Sequence, residues 1–245
     1  MTSAGRRTSA LPDPSQKASF VREMFDAIAP RYDLVNKVMT FGLDAGWRSR
    51  AITLLGLQPG SCVLDLACGT GDLAAELSRR GFSSVGVDLS MGMLRRTRDR
   101  EVPLVLCDAG ALSLRPAALD GAVSGFALRN FAALAPVVSE LSRVVRPGGR
   151  LSLLELAEPQ NGLLRAGHSL WFRYGVPVVG ALLSDAAAYR YLPESVAYLP
   201  TPSELDAVLA GAGFGETRRT LCSGGIVQIV TATRAGGATF ARRAR

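Results

Sequence analysis

One stretch constrains this chain more than any other: Val63-Leu64-Asp65-Leu66-Ala67-Cys68-Gly69-Thr70-Gly71-Asp72-Leu73. An apolar run that ends in a Gly-x-Gly turn and opens a helix is the first unit of a doubly wound α/β fold. Gly69 and Gly71 let the chain turn sharply and let a ligand approach bare backbone. With Ala74 in the third glycine place, the spacing also fits a dinucleotide fingerprint, so the turn alone does not choose between ligands.

Charge favours one of them. A pyrophosphate needs N–H groups and no nearby anion, and Asp72 stands in the first helical turn. The sulfonium and ammonium of S-adenosylmethionine suit Asp65 and Asp72. The competing reading of Asp72 is compensation of the helix dipole. The next strand, Ser84 to Asp88, ends in an acid about 20 residues after the loop, where a carboxylate accepts both ribose hydroxyls. Ser90 is placed to cap the following helix, with Met93 inside it. A third strand, Val102 to Cys107, leads to Asp108, in reach of an adenine amine. Asp65, Asp88 and Asp108 thus close three successive strands at the crevice where such sheets bind ligands.

The 245 residues suffice for one large domain. Residues 1–17 read as a flexible polar tail, 18–58 as a helical cap, and 18–234 as a single domain. Five alternating strand–helix units are expected from Cys62 to about Glu158, giving a mostly parallel sheet covered on both faces. Pro147-Gly148-Gly149 stops the helix that carries Leu134, Val137, Val138, Leu141, Val144 and Val145. Residues 160–198 form an apolar, aromatic insert. A helix after Pro202 and a hairpin-like pair of strands, Phe214 to Cys222 and Ile226 to Thr233, complete the domain, and 235–245 is a basic tail. No apolar run is long enough to span a membrane, and no signal peptide is visible. Cys62, Cys68, Cys107 and Cys222 have no metal spacing and read as reduced thiols of a cytoplasmic protein. Much of the net charge of +7 lies near the ends, on Arg6, Arg7, Lys17, Arg242, Arg243 and Arg245. No basic stripe is interleaved with aromatics, which argues against a nucleic-acid partner.

The glycine loop, the two ligand-side acids and Arg146-Pro147-Gly148-Gly149 together resemble a class I S-adenosylmethionine-dependent methyltransferase, which implies a Rossmann-like, seven-stranded sheet. Phe25-Asp26-Ala27-Ile28-Ala29-Pro30-Arg31-Tyr32-Asp33-Leu34-Val35-Asn36, Ala127-Leu128-Arg129-Asn130, Tyr189-Arg190-Tyr191-Leu192-Pro193-Glu194-Ser195 and Gly224-Gly225-Ile226-Val227 narrow this. In order, from about residue 20 to 233, they resemble the ubiquinone/menaquinone biosynthesis C-methyltransferase family. The resemblance implies methylation of a ring carbon in a polyprenylated quinol, demethylmenaquinol first and a benzoquinol ubiquinone precursor second. It carries cofactor contacts to Thr70, Asp88, Asp108 and Ala109. Where the family has a serine before its Leu-Arg-Asn motif this chain has Gly125, with Ser124 as the substitute hydroxyl. With the loop residues, the expected cofactor set is Asp65, Gly69, Thr70, Gly71, Asp88, Asp108, Ala109 and Gly125.

Carbon methylation needs a stabilised phenolate held close to the methyl. Arg129 and Asn130, beyond the fourth strand, are expected to face the quinol hydroxyl, with water taking the proton and Tyr32 orienting the oxygen or closing over the cofactor. The alternative is an Arg129 paired with an acid such as Asp33, and a core Tyr32. For His168, the only histidine, a structural or exposed role outweighs catalysis. The insert is read as a polyprenyl tunnel or a lid, with Arg173 and Arg190 toward lipid headgroups, or equally as ordinary core helices. Peripheral contact with the cytoplasmic membrane face and a homodimer complete the expected partners. The rival readings are a methyltransferase of soluble secondary metabolites, a cofactor-binding module without turnover, and a dehydrogenase.

Overall fold

The computed structural model describes residues 16–97, 99, 101–183, 191 and 194–236. Most of both tails, and Arg190 of the insert, lie outside the described residues.

Seven strands form one sheet in the order β3-β2-β1-β4-β5-β7-β6. They are β1 (Cys62–Leu66), β2 (Ser83–Asp88), β3 (Leu104–Leu106), β4 (Leu119–Gly125), β5 (Val145–Leu156), β6 (Phe214–Cys222) and β7 (Val227–Arg234). The first five are parallel, and β7 runs antiparallel to both β5 and β6. Chain order reverses between β1 and β4, and crevices for ligands open at the carboxyl ends of strands at such a switch point. The central strands are apolar runs because both faces are covered: four of the five β1 residues are buried.

Three helices precede the sheet: α1 (Lys17–Ile28), α2 (Tyr32–Met39) and α3 (Asp44–Leu55). Tyr32 to Asn36 of the Phe25–Asn36 motif thus belong to a helix of their own. α3 lies on one sheet face, where Ile52 and Leu55 pack with Val63, Leu73, Leu77 and Val123. On the other face, α6 (Leu134–Val144) buries Val137, Val138, Leu141 and Val144 against the strands. The crossover helices α4 (Asp72–Arg79) and α5 (Met91–Leu94) follow β1 and β2. As expected, the Ser90 side chain caps α5, accepting the N–H of Met93 at 3.1 Å.

The expected regular alternation breaks once. No helix joins β3 to β4, because Gly110 and Pro116 interrupt a link too short for one. β3 is also shorter than the expected 102–107, starting only after Pro103. Pro147-Gly148-Gly149 does not simply stop a helix. α6 passes directly into β5, and the turn makes a register shift between Leu119 and Gly121 on the neighbouring strand. The insert contributes α7 (Gly162–Leu170), a π-helical turn (Trp171–Gly175) and α8 (Val176–Leu183). α9 (Pro202–Gly211) follows with a capping box between Thr201 and Glu204. Among the described residues no helix is long and apolar enough to cross a membrane.

Candidate active site

Two cavities open beyond the carboxyl ends of the strands, and they share Phe25, Tyr32 and Phe126 as a common wall. The first, about 390 Å³, is lined by Gly69, Asp88, Asp108, Ala109, Gly125 and Asn130 among others. The second, about 350 Å³, is lined by Trp47, Arg129, His168, Trp171 and Phe172 and by residues of α2. Both central strands end in a left-handed non-glycine residue at this place, Ala67 (φ 56°) after β1 and Phe126 (φ 57°) after β4. Such conformations cost about 1–3 kcal/mol each and collect at functional sites. Here one of them sets the phenyl ring that both cavities share.

Asp88 organises the first cavity. One carboxylate oxygen accepts the N–H of Gly69 and the other that of Ser90, both at 2.8 Å. Burial pushes its pKa up, and these N–H groups pull it back. Asp108 turns its own loop by accepting the N–H of Gly110 at 2.7 Å. A Cβ added at Gly69 would meet nothing within 4 Å, so the loop leaves open space on the cavity side.

Five expected contacts are placed differently. Asp65 is fully buried beneath the loop and accepts the N–H of Ala74 at 2.9 Å. It does not line the cavity, because it lies within β1 rather than beyond its end. Asp72 pairs with Arg48 of α3 at 3.0 Å. The buried Thr70 donates its hydroxyl to Asp33 of α2 at 2.6 Å. Gly71 packs on the protein itself, since a Cβ there would stand 2.5 Å from the Thr97 methyl. Ser124 does not replace the missing serine: it is buried and donates to the carbonyl of Leu66 at 2.8 Å.

Arg129 and Asn130 part company. Asn130 lines the first cavity and accepts the Tyr191 hydroxyl at 3.4 Å. Arg129 lines the second and pairs with Glu155 of β5, not with Asp33. Glu155 is the partner of Arg129 that the sequence reading did not name. Its signal was an acid inside the otherwise apolar strand end Leu153-Leu154-Glu155-Leu156.

Burial is the main reason the Asp65 pKa rises to about 7 from the ordinary 3.8. The unfolded chain releases this proton near 3.8 and the folded protein only near 7, so this group's contribution to stability falls as pH rises across that window. Asp65→Asn should therefore match the wild type in thermal scans at pH 4 and exceed it at pH 8 by on the order of 5 °C. An equal difference at both pH values would discount the buried charge.

The sequence profile of the ubiE/COQ5 methyltransferase family matches residues 13–234. The chain belongs to that family. This ubiE/COQ5-family protein is an S-adenosylmethionine-dependent methyltransferase. It is 40% identical to the ubiquinone/menaquinone biosynthesis C-methyltransferase UbiE of Syntrophotalea carbinolica, over 87% of this chain and 93% of that one. It is 41% identical to the demethylmenaquinone methyltransferase of Thermus thermophilus, over 84% and 97%. Among solved structures it is similar in fold to a possible histamine N-methyltransferase of Thermotoga maritima (TM-score 0.62, 17% identity, 86% of this chain and 99% of that one). A second fold neighbour is the phosphoethanolamine N-methyltransferase 2 of Haemonchus contortus (TM-score 0.61, 13% identity, 88% and 60%).

Proposed function

We propose that this family member methylates a ring carbon of a polyprenylated naphthoquinol, converting demethylmenaquinol to menaquinol. The observation that carries this is the second cavity: a mostly apolar, aromatic space that meets the first at Tyr32 and Phe126. A flat ring fits against that wall, and a prenyl chain fits between Met39, Phe41, Leu163, Leu164 and Trp171. The names of the relatives point to the same substrate.

The first cavity fits the methyl donor. Asp88 would accept ribose hydroxyls, Asp108 and Ala109 would flank the adenine, and the bare backbone at Gly69 and Gly125 leaves room for the rest. When bound, S-adenosylmethionine supplies an electrophilic methyl. Arg129 provides a fixed guanidinium in the acceptor cavity and stabilises the quinolate. Tyr32 lies between the two ligands, and burial raises its pKa, so it stays a hydroxyl that can orient the quinol oxygen. Asn130 acts from the donor side.

The test is transfer of label from radioactive S-adenosylmethionine to reduced short-chain demethylmenaquinone, with the product located by mass spectrometry. Label on the ring carbon supports the reading. Label only on a benzoquinol acceptor, or on none, refutes it.

The substrate's tail also needs a lipid surface. α7 buries none of its residues, and Phe41, Leu163, Leu170, Tyr174 and Val178 are all more than half exposed. Phe41 stacks on Trp171 at 5.0 Å, which brings these segments together at the mouth of the second cavity. Residues 34–43 and 160–183 contain Lys37, Arg165 and Arg173 and no acid. That charge favours an anionic membrane over a second copy of the chain. Leu170→Ser/Tyr174→Ser/Val178→Ser should cut co-sedimentation with phosphatidylglycerol vesicles at least tenfold, while turnover of a short-chain quinol persists. Undiminished vesicle binding would remove this face from consideration. A shift from dimer to monomer in the triple variant would assign it to self-association.

A further inference from the structure

We propose that Arg48 is a positioning residue shared by the two cavities: through Asp72 it sets the glycine loop of the first, and through Asp44 the wall of the second. This rests on the reading above, with the methyl donor in the first cavity and the quinol in the second, and adds a residue that lines neither.

Arg48 lies one turn into α3 and forks between two acids. Its Nη1 donates to Asp44, one turn back on the same helix, and its Nη2 pairs with Asp72 at 3.0 Å. Asp72 is the first residue of α4 and follows Gly71, which is left-handed (φ 80°). The fork therefore fixes the point at which the glycine loop becomes a helix. Gly69 of that loop lines the first cavity.

Asp44 carries the other half. Its Oδ1 accepts the Thr40 hydroxyl at 2.8 Å, and its Oδ2 stands 3.5 Å from the Asn36 amide nitrogen. Asn36 of α2 and Thr40 at its end line the second cavity, as do Phe41 and Leu43 of the link to α3. Phe41 is left-handed (φ 53°), a conformation that persists only where neighbours impose it. Asp44 joins the segments on either side of that residue.

Holding α3 in place does not require the fork. Ile52 and Leu55 pack in the core, the Ser152 hydroxyl donates to the Ala51 carbonyl at 2.8 Å, and Arg80 donates to the Thr53 hydroxyl at 2.9 Å. The fork lies instead toward the cavities, beside Trp47 of the second. It is also covered, with the Arg48 side chain 12% exposed and that of Asp44 10%. Covered, charge-assisted bonds hold a geometry that exposed pairs do not. Arg48 acts as well where the cavities meet. Burial raises the pKa of Tyr32, and of the two cations that oppose burial there, Arg48 comes before Arg129.

Two affinities test this, and neither needs turnover. The first is that for S-adenosylhomocysteine, read by calorimetry. The second is that for reduced short-chain demethylmenaquinone, read by protein fluorescence, because both tryptophans of the chain, Trp47 and Trp171, line the second cavity. Arg48→Met is expected to weaken both by about tenfold or more, with Arg48→Lys recovering part of each loss. Asp72→Asn should weaken mainly the first and Asp44→Asn mainly the second, a split that a purely structural brace would not produce. These two isosteric variants decide the matter if Arg48→Met fails to fold. Affinities within about twofold of wild type in every folded variant overturn the proposal. Equal losses of both affinities in Asp72→Asn and in Asp44→Asn overturn it as well, by making the fork a general brace. A wild type that neither binds nor methylates this quinol refutes the proposed function and the Asp44 arm with it, whereas the Asp72 arm is still read by calorimetry.

Discussion

Glu155→Ala is expected to lower the free energy of unfolding by about 3–5 kcal/mol, a fall of roughly 10 °C in Tm. Glu155 is 1% exposed, and the guanidinium it holds is buried with it. The same carboxylate oxygen accepts the N–H of Leu156 at 2.9 Å. Without it the Arg129 charge stays in the core, because a guanidinium cannot shed its proton near neutral pH. Arg129→Met alone should cost a similar amount, for the opposite charge is then stranded. The double variant Arg129→Met/Glu155→Leu should regain most of the stability, since well-packed apolar pairs often replace buried ion pairs without loss. It should nevertheless show no quinol turnover. A folded, active double variant would remove Arg129 from the chemistry and leave the pair a purely structural one. Full stability in Glu155→Ala would mean that the charge finds water, contrary to its burial.

Asp88→Ala is expected to weaken S-adenosylmethionine binding by about 100-fold or more, read by calorimetry with S-adenosylhomocysteine as a second ligand. Two effects combine. The carboxylate positions the glycine loop and the turn after β2 through the N–H groups of Gly69 and Ser90, and each orphaned buried donor costs about 1–3 kcal/mol. The proposed contact with the ribose hydroxyls is lost as well. Asp88→Asn keeps one acceptor oxygen and should fall between the two. Binding of Asp88→Ala within threefold of wild type would show that the ribose lies elsewhere.

The glycine loop, Asp88, Asp108 and the Ser90 cap were legible because each is a local feature: a turn, a strand end, a hydroxyl three residues before an N–H. Their neighbours in sequence are their neighbours in space. Glu155 was not legible as the partner of Arg129, because 26 residues and a helix separate them. Only the pairing of β4 with β5, with Gly125 beside Leu154, brings them together. The partners of Asp72 and Thr70 were hidden for a related reason, since Arg48 and Asp33 reach them from the cap. Sequence reveals which groups seek a partner; the assignment among competing partners is tertiary. The place of His168 on a cavity wall has the same origin, since nothing within α7 tells which of its faces meets the cavity.

The cap is fastened to the loops of the first cavity at three points. Asp33 holds Thr70, Asp26 accepts from Ser90 and Gly92 at 2.6 and 2.7 Å, and Arg48 holds Asp72. The same cap, through Phe25, Tyr32, Asn36 and Met39, walls the second cavity. With donor and quinol in the two cavities as proposed, both press on one shared element, and thermodynamics makes that influence mutual. Whatever factor a bound donor contributes to the affinity for the quinol, a bound quinol returns to the donor.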